Sequence, residues 1–259
     1  MMYANESPGK KYPTVAQFSF GPGIDCRTGW TSGLHSSEWP VLVGSRGATY
    51  YFAYIPQIYP EYLTDHNVLI CPSESDPGEF VNPATGESIL AVPCRHYSLG
   101  GGGPAVGQPA ADESYYCIGY VLDKADVGDI PAEWVGGPEF TGEFVSSQVV
   151  DCLSVLGGST DFSVTDNDLK GDLSGLTIYR LREGIERFLI TDINNPAATA
   201  KAQSEIEISA DLVSTSVEQY NHVPGGVNTL YLDGHVDFRR YPGNGWVSRP
   251  MAVTIGIAG

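Results

Sequence analysis

The feature that most constrains how this chain can fold is an Asp-Gly pair, Asp233-Gly234, near its C-terminal end. Residues 228–232 and 235–241 flank the pair, and in both segments apolar and polar side chains alternate. An Asp-Gly pair between two such segments is the strongest short-range signal for a β-hairpin, because both residues tolerate the backbone of a tight turn. The sequence therefore predicts a hairpin here, and with it an antiparallel sheet.

The rest of the chain predicts further strands and a few helices around that sheet. Apolar residues recur at helical spacing over residues 144–156 and stop at Gly157-Gly158, which predicts an amphipathic helix. Residues 48–63 are aromatic throughout, and two prolines predict a short helix followed by a turn. A short helix is also predicted over residues 197–203. Strands are predicted over residues 14–20, 67–71, 114–122, 176–193 and 206–208. The pattern is α+β with an antiparallel sheet.

Composition limits the domain count and the classes of partner. The 259 residues contain no linker clean enough to divide the chain, which predicts a single domain over 1–259. A net charge of −17 disfavours nucleic acid and anionic lipid, since both need clusters of Lys and Arg. The same charge suits a divalent cation, a basic partner or solubility alone. Within the given residues no apolar stretch is long enough to span a membrane.

The five cysteines leave two interpretations open. They stand at positions 26, 71, 94, 117 and 152, without the close spacing of a zinc site. In an exported protein two disulfides and one leftover thiol are expected, with Cys71 and Cys94 paired first because they flank a Gly/Pro-rich excursion. In a reducing compartment all five would be buried small apolar residues.

An acidic loop over residues 160–175 is the candidate metal site. Asp161, Asp166, Asp168 and Asp172 are its candidate calcium ligands. Lys170 and Thr177 stand where an EF-hand needs two of its oxygen ligands, so only a looser calcium site fits. The alternative is a solvated acidic loop.

Other clusters of functional residue types favour structure over catalysis. Arg182, Glu183, Glu186 and Arg187 alternate in sign, which predicts a strand with internal ion pairs, the alternative being a catalytic Arg/Glu site. The Gly100–Gly103 run has no phosphate-binding Lys-Ser/Thr after it, and no Gly-x-Ser-x-Gly elbow is present. We therefore expect no enzymatic activity. A metal site of His222, Asp233 and His235 can be drawn, but Asp233 is already the turn residue.

Several segments together resemble one protein family. His222 and Asp233-Gly234-His235, with Gly225 and Gly226 between them, resemble the C-terminal signature of a prepilin-like family common in planctomycetes, named for a His, about nine residues, then Asp-Gly. Ten residues separate His222 from Asp233, so the spacing departs by one. Residues 3–6 with 11–13, 59–63 with 69–73, and 182–187 with 191–196 resemble other parts of that family.

The resemblance implies a type IV pilin-like protein or type II secretion pseudopilin. Such proteins carry a hydrophobic N-terminal helix after a short leader that a prepilin peptidase removes. The helix anchors them in the inner membrane and later forms the filament core. Residues 1–4 would be the end of that helix, stopped at Ser7-Pro8-Gly9, and 80–112 and 123–175 would be insertions. The partners would be further pilin-like subunits, the location periplasmic or extracellular, and related pseudopilins often hold calcium.

The sequence leaves two functions of other classes open. One is an extracellular glycan- or peptide-binding module in which the aromatic loops 28–63, with Trp30 and Trp39, hold the ligand. The other is an extracellular hydrolase that uses a pair of its many carboxylates.

Overall fold

A computed structural model describes residues 2–19, 47–53, 57–73, 114–158, 162–189, 203–217, 220–223 and 225–258. The α-helices are α1 (Met2–Glu6), α2 (Glu133–Gly136), α3 (Ser147–Gly158) and α4 (Arg249–Ala258). The strands are β1 (Val15–Ser19), β2 (Gly47–Ala53), β3 (Tyr115–Tyr116), β4 (Ile130–Pro131), β5 (Phe144–Val145), β6 (Leu169–Lys170), β7 (Thr177–Ile178), β8 (Glu207–Asp211), β9 (Gly226–Tyr231) and β10 (Val236–Arg240). Single turns of 3-10 helix cover Pro8–Lys10, His66–Leu69, Pro138–Phe140, Phe162–Asp166, Ile185–Leu189, Gln203–Glu205 and Gly245–Val247.

The predicted hairpin is confirmed and forms one side of a four-stranded antiparallel sheet. The strand order is β10-β9-β8-β3, and Val236 of β10 lies opposite Leu230 of β9. Gly234 has φ of +92°, a value that L side chains rarely adopt, which accounts for glycine at the turn. The predicted strand over 206–208 is β8, and the strand over 14–20 is β1, which pairs with β2.

The core lies between this sheet and the helices α3 and α4. Trp246, almost completely buried, stacks on Tyr116 of β3 with 5.1 Å between ring centroids. The Tyr116 hydroxyl donates to the Trp246 carbonyl at 2.9 Å, which satisfies a polar group that burial would otherwise leave unpaired. Residues of α3 and α4 complete the same cluster, among them Leu156 and Met251.

Helix α3 is the predicted helix, and it begins three residues later than expected. The Asp129 carboxylate accepts hydrogen bonds from the backbone nitrogen (2.7 Å) and the hydroxyl (2.6 Å) of Ser147, the first residue of α3. The first N–H groups of a helix have no partner within it, and this contact gives one of them an acceptor. The helix ends at Gly158, as the glycine pair predicts.

The prediction of a helix over residues 48–63 is wrong, because Gly47–Ala53 is strand β2. Aromatic residues such as Tyr50 and Phe52 favour a pleated surface, and here β1 supplies a partner strand. The predicted strand over 67–71 is also wrong: His66–Leu69 is a 3-10 turn, capped where the Asp65 carboxylate accepts from the Asn67 backbone nitrogen.

Two further strand predictions hold only in part. Within 114–122 only Tyr115–Tyr116 is a strand, although most of the segment is buried. Within 176–193, Thr177–Ile178 is a strand and Ile185–Leu189 is a 3-10 turn. Residues 190–193, the glycine run 100–103 and all but the last residue of the predicted helix over 197–203 lie outside the described residues.

The α+β class with antiparallel pairing is confirmed. Helix α4 was not predicted from the sequence. In the described ranges no helix is both long and apolar enough to cross a bilayer.

Candidate functional site: the Cys71–Asp211–His222 cluster

Three side chains from distant parts of the chain meet at one end of β8. Cys71 follows the 3-10 turn His66–Leu69, Asp211 is the last residue of β8, and His222 lies in the turn before β9. One ligand atom from each, the thiol sulfur, a carboxylate oxygen and an imidazole nitrogen, lies within 4.8 Å of the other two. In the part of the chain that the structure describes, these residues form the one group of three or more His, Cys, Asp or Glu side chains with this spacing.

Asp211 is the buried anion of the cluster, with only 2% of its side chain exposed. Its Oδ2 accepts hydrogen bonds from the backbone nitrogen (2.7 Å) and the side-chain amide (2.8 Å) of Asn228 on β9. His222 Nε2 lies 2.8 Å from the same oxygen. A buried carboxylate needs partners of this kind, because transfer of an unpaired charge out of water is costly.

Cys71 is held by contacts of its backbone and its thiol with neighbouring residues. Its backbone nitrogen donates to Ser114 Oγ at 3.0 Å, and its Sγ accepts from the Ser73 backbone nitrogen at 3.4 Å. Burial, the neighbouring charges of Cys71 and Asp211, and a hydrogen bond with Cys71 raise the pKa of Tyr115 to about 12. The phenol therefore stays protonated at neutral pH and can donate to the sulfur.

His222 contacts both other members through a single nitrogen. Its Nε2 lies 3.4 Å from Cys71 Sγ and 2.8 Å from Asp211 Oδ2. In a catalytic Cys-His-Asp arrangement the carboxylate instead binds one ring nitrogen and leaves the other to the nucleophile. The observed geometry therefore does not match that relay. What it provides is a thiol, an imidazole and a carboxylate converging on one point.

The residues of the C-terminal signature separate into two places. His222 joins the cluster, whereas Asp233 and His235 pair with each other at the exposed hairpin turn, with 2.6 Å between Asp233 Oδ1 and His235 Nδ1. The structure therefore does not assemble His222, Asp233 and His235 as a metal site. At Gly226 a Cβ would lie 2.2 Å from the Arg239 carbonyl oxygen, so the strand pairing excludes any side chain there. Gly225 directly precedes this strand.

The three aspartates of the acidic loop that the structure describes do not share one site. Asp166 pairs with Lys11 (2.6 Å) and Asp168 with Arg182 (3.0 Å), while Asp172 is exposed. Their carboxylates do not form a group within ligand distance of one another. Asp161 lies outside the described residues, so calcium at this loop stays a prediction. The positions of Asp166, Asp168 and Asp172 do not support it.

The first two charges of the segment 182–187 have partners elsewhere in the chain. The segment is a bridge, a turn and a 3-10 helix, so the prediction of a strand is wrong. Arg182 pairs with Asp168, and Glu183 accepts a hydrogen bond from the Tyr12 hydroxyl at 3.1 Å. The nearby Arg180 is completely buried.

The cysteine pairing stays a prediction, because Cys94 lies outside the described residues. No disulfide joins any two of Cys71, Cys117 and Cys152. Burial raises the pKa of the Cys117 thiol to about 11 and raises that of Cys152 as well, which makes both thiols unreactive at neutral pH. Trp30 and Trp39, the proposed ligand-binding aromatics, also lie outside the described residues.

Sequence reasoning missed Asp211 and Asn228 as members of the site. Their spacing from Cys71 and His222 follows no metal-binding or catalytic pattern, because the four residues come from three separate segments. No protein-family model, curated protein or solved structure matches this chain.

Proposed function

We propose that this chain is the exported globular domain of a type IV pilin-like protein, a structural subunit of a pilus or of a type II secretion pseudopilus. The proposal rests on the sequence segments that resemble the prepilin-like family. The observation that supports it best is that the described segments of this set, scattered from residue 3 to residue 235, contact one another in pairs.

The N-terminal segment contacts the middle segment of the resemblance. The Tyr62 hydroxyl donates to Glu6 Oε2 at 2.5 Å, and the rings of Tyr3 and Tyr62 meet edge to face with 5.6 Å between centroids. Ala4 of α1 is fully buried. Helix α1 therefore packs on the domain at the place where a longer pilin helix would join it.

The other segments are connected in the same way. Lys11 and Arg182 form an antiparallel bridge, and the Tyr12 hydroxyl donates to Glu183 at 3.1 Å. Cys71 of the middle segment lies against His222 of the C-terminal signature at 3.4 Å. If the resembling segments form a framework that the family shares, they are expected to contact one another. Variable insertions are then expected to lie outside that framework.

The proposed role is assembly and not catalysis. An N-terminal helix preceding α1 would anchor the protein and pack in the filament core, and the acidic domain would face outward. Strand β10 is an edge strand among the described residues, with Val236 and Phe238 more than half exposed, and it offers a surface for a neighbouring subunit.

The test is carried out in cells that express the gene at its own locus. Surface filaments are sheared off, and the fractions are probed with an antibody against this domain before and after inactivation of the prepilin peptidase. We expect the protein in the sheared fraction as a ladder after chemical cross-linking, and a heavier, cell-retained form without the peptidase. A soluble periplasmic protein serves as the fractionation control. An unchanged mass without the peptidase, together with absence from the sheared fraction, would contradict the proposal.

A further inference from the structure

We propose that Cys71, Asp211 and His222 form a binding site for a divalent transition metal, with Zn²⁺ as the ion that fits best. This inference does not depend on the filament role. It rests on the convergence of a thiol, a carboxylate and an imidazole that three separate segments bring together.

His222 Nε2 faces two polar atoms although it can make only one good hydrogen bond. A neutral imidazole nitrogen carries either one hydrogen or one lone pair, so it makes one good hydrogen bond. His222 Nε2 nevertheless faces both Cys71 Sγ, at 3.4 Å, and Asp211 Oδ2, at 2.8 Å. With a hydrogen on Nε2 the nitrogen can donate well to only one of these two atoms, and without it the Nε2 lone pair faces the Asp211 carboxylate oxygen at 2.8 Å. A cation between them would be bound by all three at once.

The distances between the three ligand atoms are close to those of a zinc site. In a tetrahedral zinc site the ligand atoms lie about 3.3–3.6 Å apart, given the usual Zn–S, Zn–N and Zn–O bond lengths. The separation of Cys71 Sγ and His222 Nε2 already agrees with this spacing. The contact between His222 and Asp211 must lengthen by about half an ångström, and the His222 side chain, at 18% exposed, has room to move.

Neighbouring groups orient two of the three ligands. Asn228 donates two hydrogen bonds to Asp211 Oδ2, and the Ser73 backbone nitrogen donates to Cys71 Sγ. A carboxylate has about four lone-pair positions, so Asp211 can accept both bonds and still bind a metal. Such supporting hydrogen bonds are typical of metal sites, where they fix the direction of the ligand.

The set of ligands selects the metal. Ca²⁺ and Mg²⁺ prefer all-oxygen surroundings, whereas thiolate and imidazole favour Zn²⁺ and Co²⁺. Three protein ligands leave one position for water or a ligand from another molecule. The partly exposed side of His222 is where that position would open.

The experiment uses the purified chain, stripped with chelator under reducing conditions and titrated with Co²⁺. We expect one equivalent to produce a thiolate-to-cobalt charge-transfer absorption in the near ultraviolet, Zn²⁺ to abolish it by displacement, and Zn²⁺ to raise the melting temperature. Ca²⁺ should do neither. Cys71→Ser or His222→Gln should weaken binding at least about hundredfold, and Asn228→Ala about tenfold.

Two matched variants and one measurement on the unmodified chain complete the test. Cys117→Ser and His235→Gln, at a thiol and an imidazole outside the cluster, should leave the absorption unchanged. In the unmodified chain, Zn²⁺ at about ten times its Kd should slow alkylation of Cys71 about tenfold, measured by peptide mass spectrometry. The proposal is overturned if the absorption is missing, if it survives Cys71→Ser, or if Zn²⁺ leaves the alkylation rate of Cys71 unchanged.

Discussion

The guanidinium of Arg180 donates a hydrogen bond from Nη2 to the backbone carbonyl of Tyr12 at 2.5 Å. The same group donates to the carbonyls of Pro13 and Gly119, so one side chain joins the N-terminal segment to the core. Within the described residues no carboxylate forms an ion pair with Arg180, although its side chain is fully buried. The carbonyl oxygens take the place of a counter-ion, and burial lowers the pKa of this arginine.

Replacement of Arg180 should therefore destabilise the protein strongly. Arg180→Met keeps much of the buried volume but removes the donor from the Tyr12 and Pro13 carbonyl groups, whereas the Gly119 carbonyl still accepts from the Leu181 backbone nitrogen. The loss should cost about 2–4 kcal/mol in the free energy of unfolding. Urea unfolding measures this change. The control is Arg182→Met, which removes a partly exposed pair with Asp168 and should cost about 1 kcal/mol or less. Equal losses in the two variants would contradict the structural role of Arg180.

Asp151 of α3 should make stability depend on pH in the acid range. Burial raises the pKa of its carboxyl, but four hydrogen bonds, from Leu173, from the hydroxyl and the backbone of Ser174, and from Asp172, together lower it below its ordinary value. The unfolded carboxyl titrates near pH 4. Its contribution is therefore complete above about pH 4 and is lost as the pH falls through the lower folded pKa.

We expect Asp151→Asn to lose about 1–2 kcal/mol at pH 7, and the difference from the unmodified protein to shrink as the pH falls below 4. Denaturant unfolding at a series of pH values checks this. Asp126→Asn, at an exposed carboxylate, should show a difference near zero throughout. A constant difference for Asp151→Asn at every pH would show that the charge of Asp151 is not what stabilises the turn.

The turn that Asp151 binds should also reject a side chain at Gly171. A Cβ there would lie 2.3 Å from both Asp151 Oδ2 and Ser174 Oγ, so Gly171→Ala must displace the hydrogen-bonded carboxylate. We expect a loss of about 1–3 kcal/mol, measured by thermal or denaturant unfolding. Gly157→Ala is the matched control, because a Cβ meets nothing within 4 Å and alanine favours the helix. It should be neutral or stabilising, and a similar loss in both variants would be inconsistent with the structure.

Two Arg–Glu pairs of the domain should differ in strength because they differ in burial. Arg239 of β10 reaches across β9 to the buried Glu207, which also accepts from the Trp246 backbone nitrogen at 2.9 Å. Arg249 donates two hydrogen bonds to Glu143, from Nε to Oε2 and from Nη2 to Oε1, but this pair is more exposed, with 51% and 33% of the two side chains accessible. A double-mutant cycle with glutamine at each position should give a coupling energy of about 1.5 kcal/mol or more for Glu207–Arg239. For Glu143–Arg249 it should be about 0.5 kcal/mol, and the reverse order would contradict the assignment.

The elements that could be predicted from the sequence are those specified by neighbouring residues. The turn at Asp233-Gly234 and the end of α3 at Gly157-Gly158 follow from backbone preferences of the residues themselves. In the segment 48–63, local residue preferences do not decide the structure. Its aromatic residues suit a strand or a buried helix, and pairing of β2 with β1 decides the outcome.

The sequence by itself determined the α+β class, the hairpin and the main helix, because each depends on patterns a few residues long. Only the tertiary structure decided which side chains are partners. It placed Cys71 against His222, 151 positions away, and brought Asp211 to the same imidazole nitrogen. It also paired Asp166 and Asp168 with Lys11 and Arg182 instead of with each other. Such contacts depend on how distant segments pack, and no local spacing encodes that.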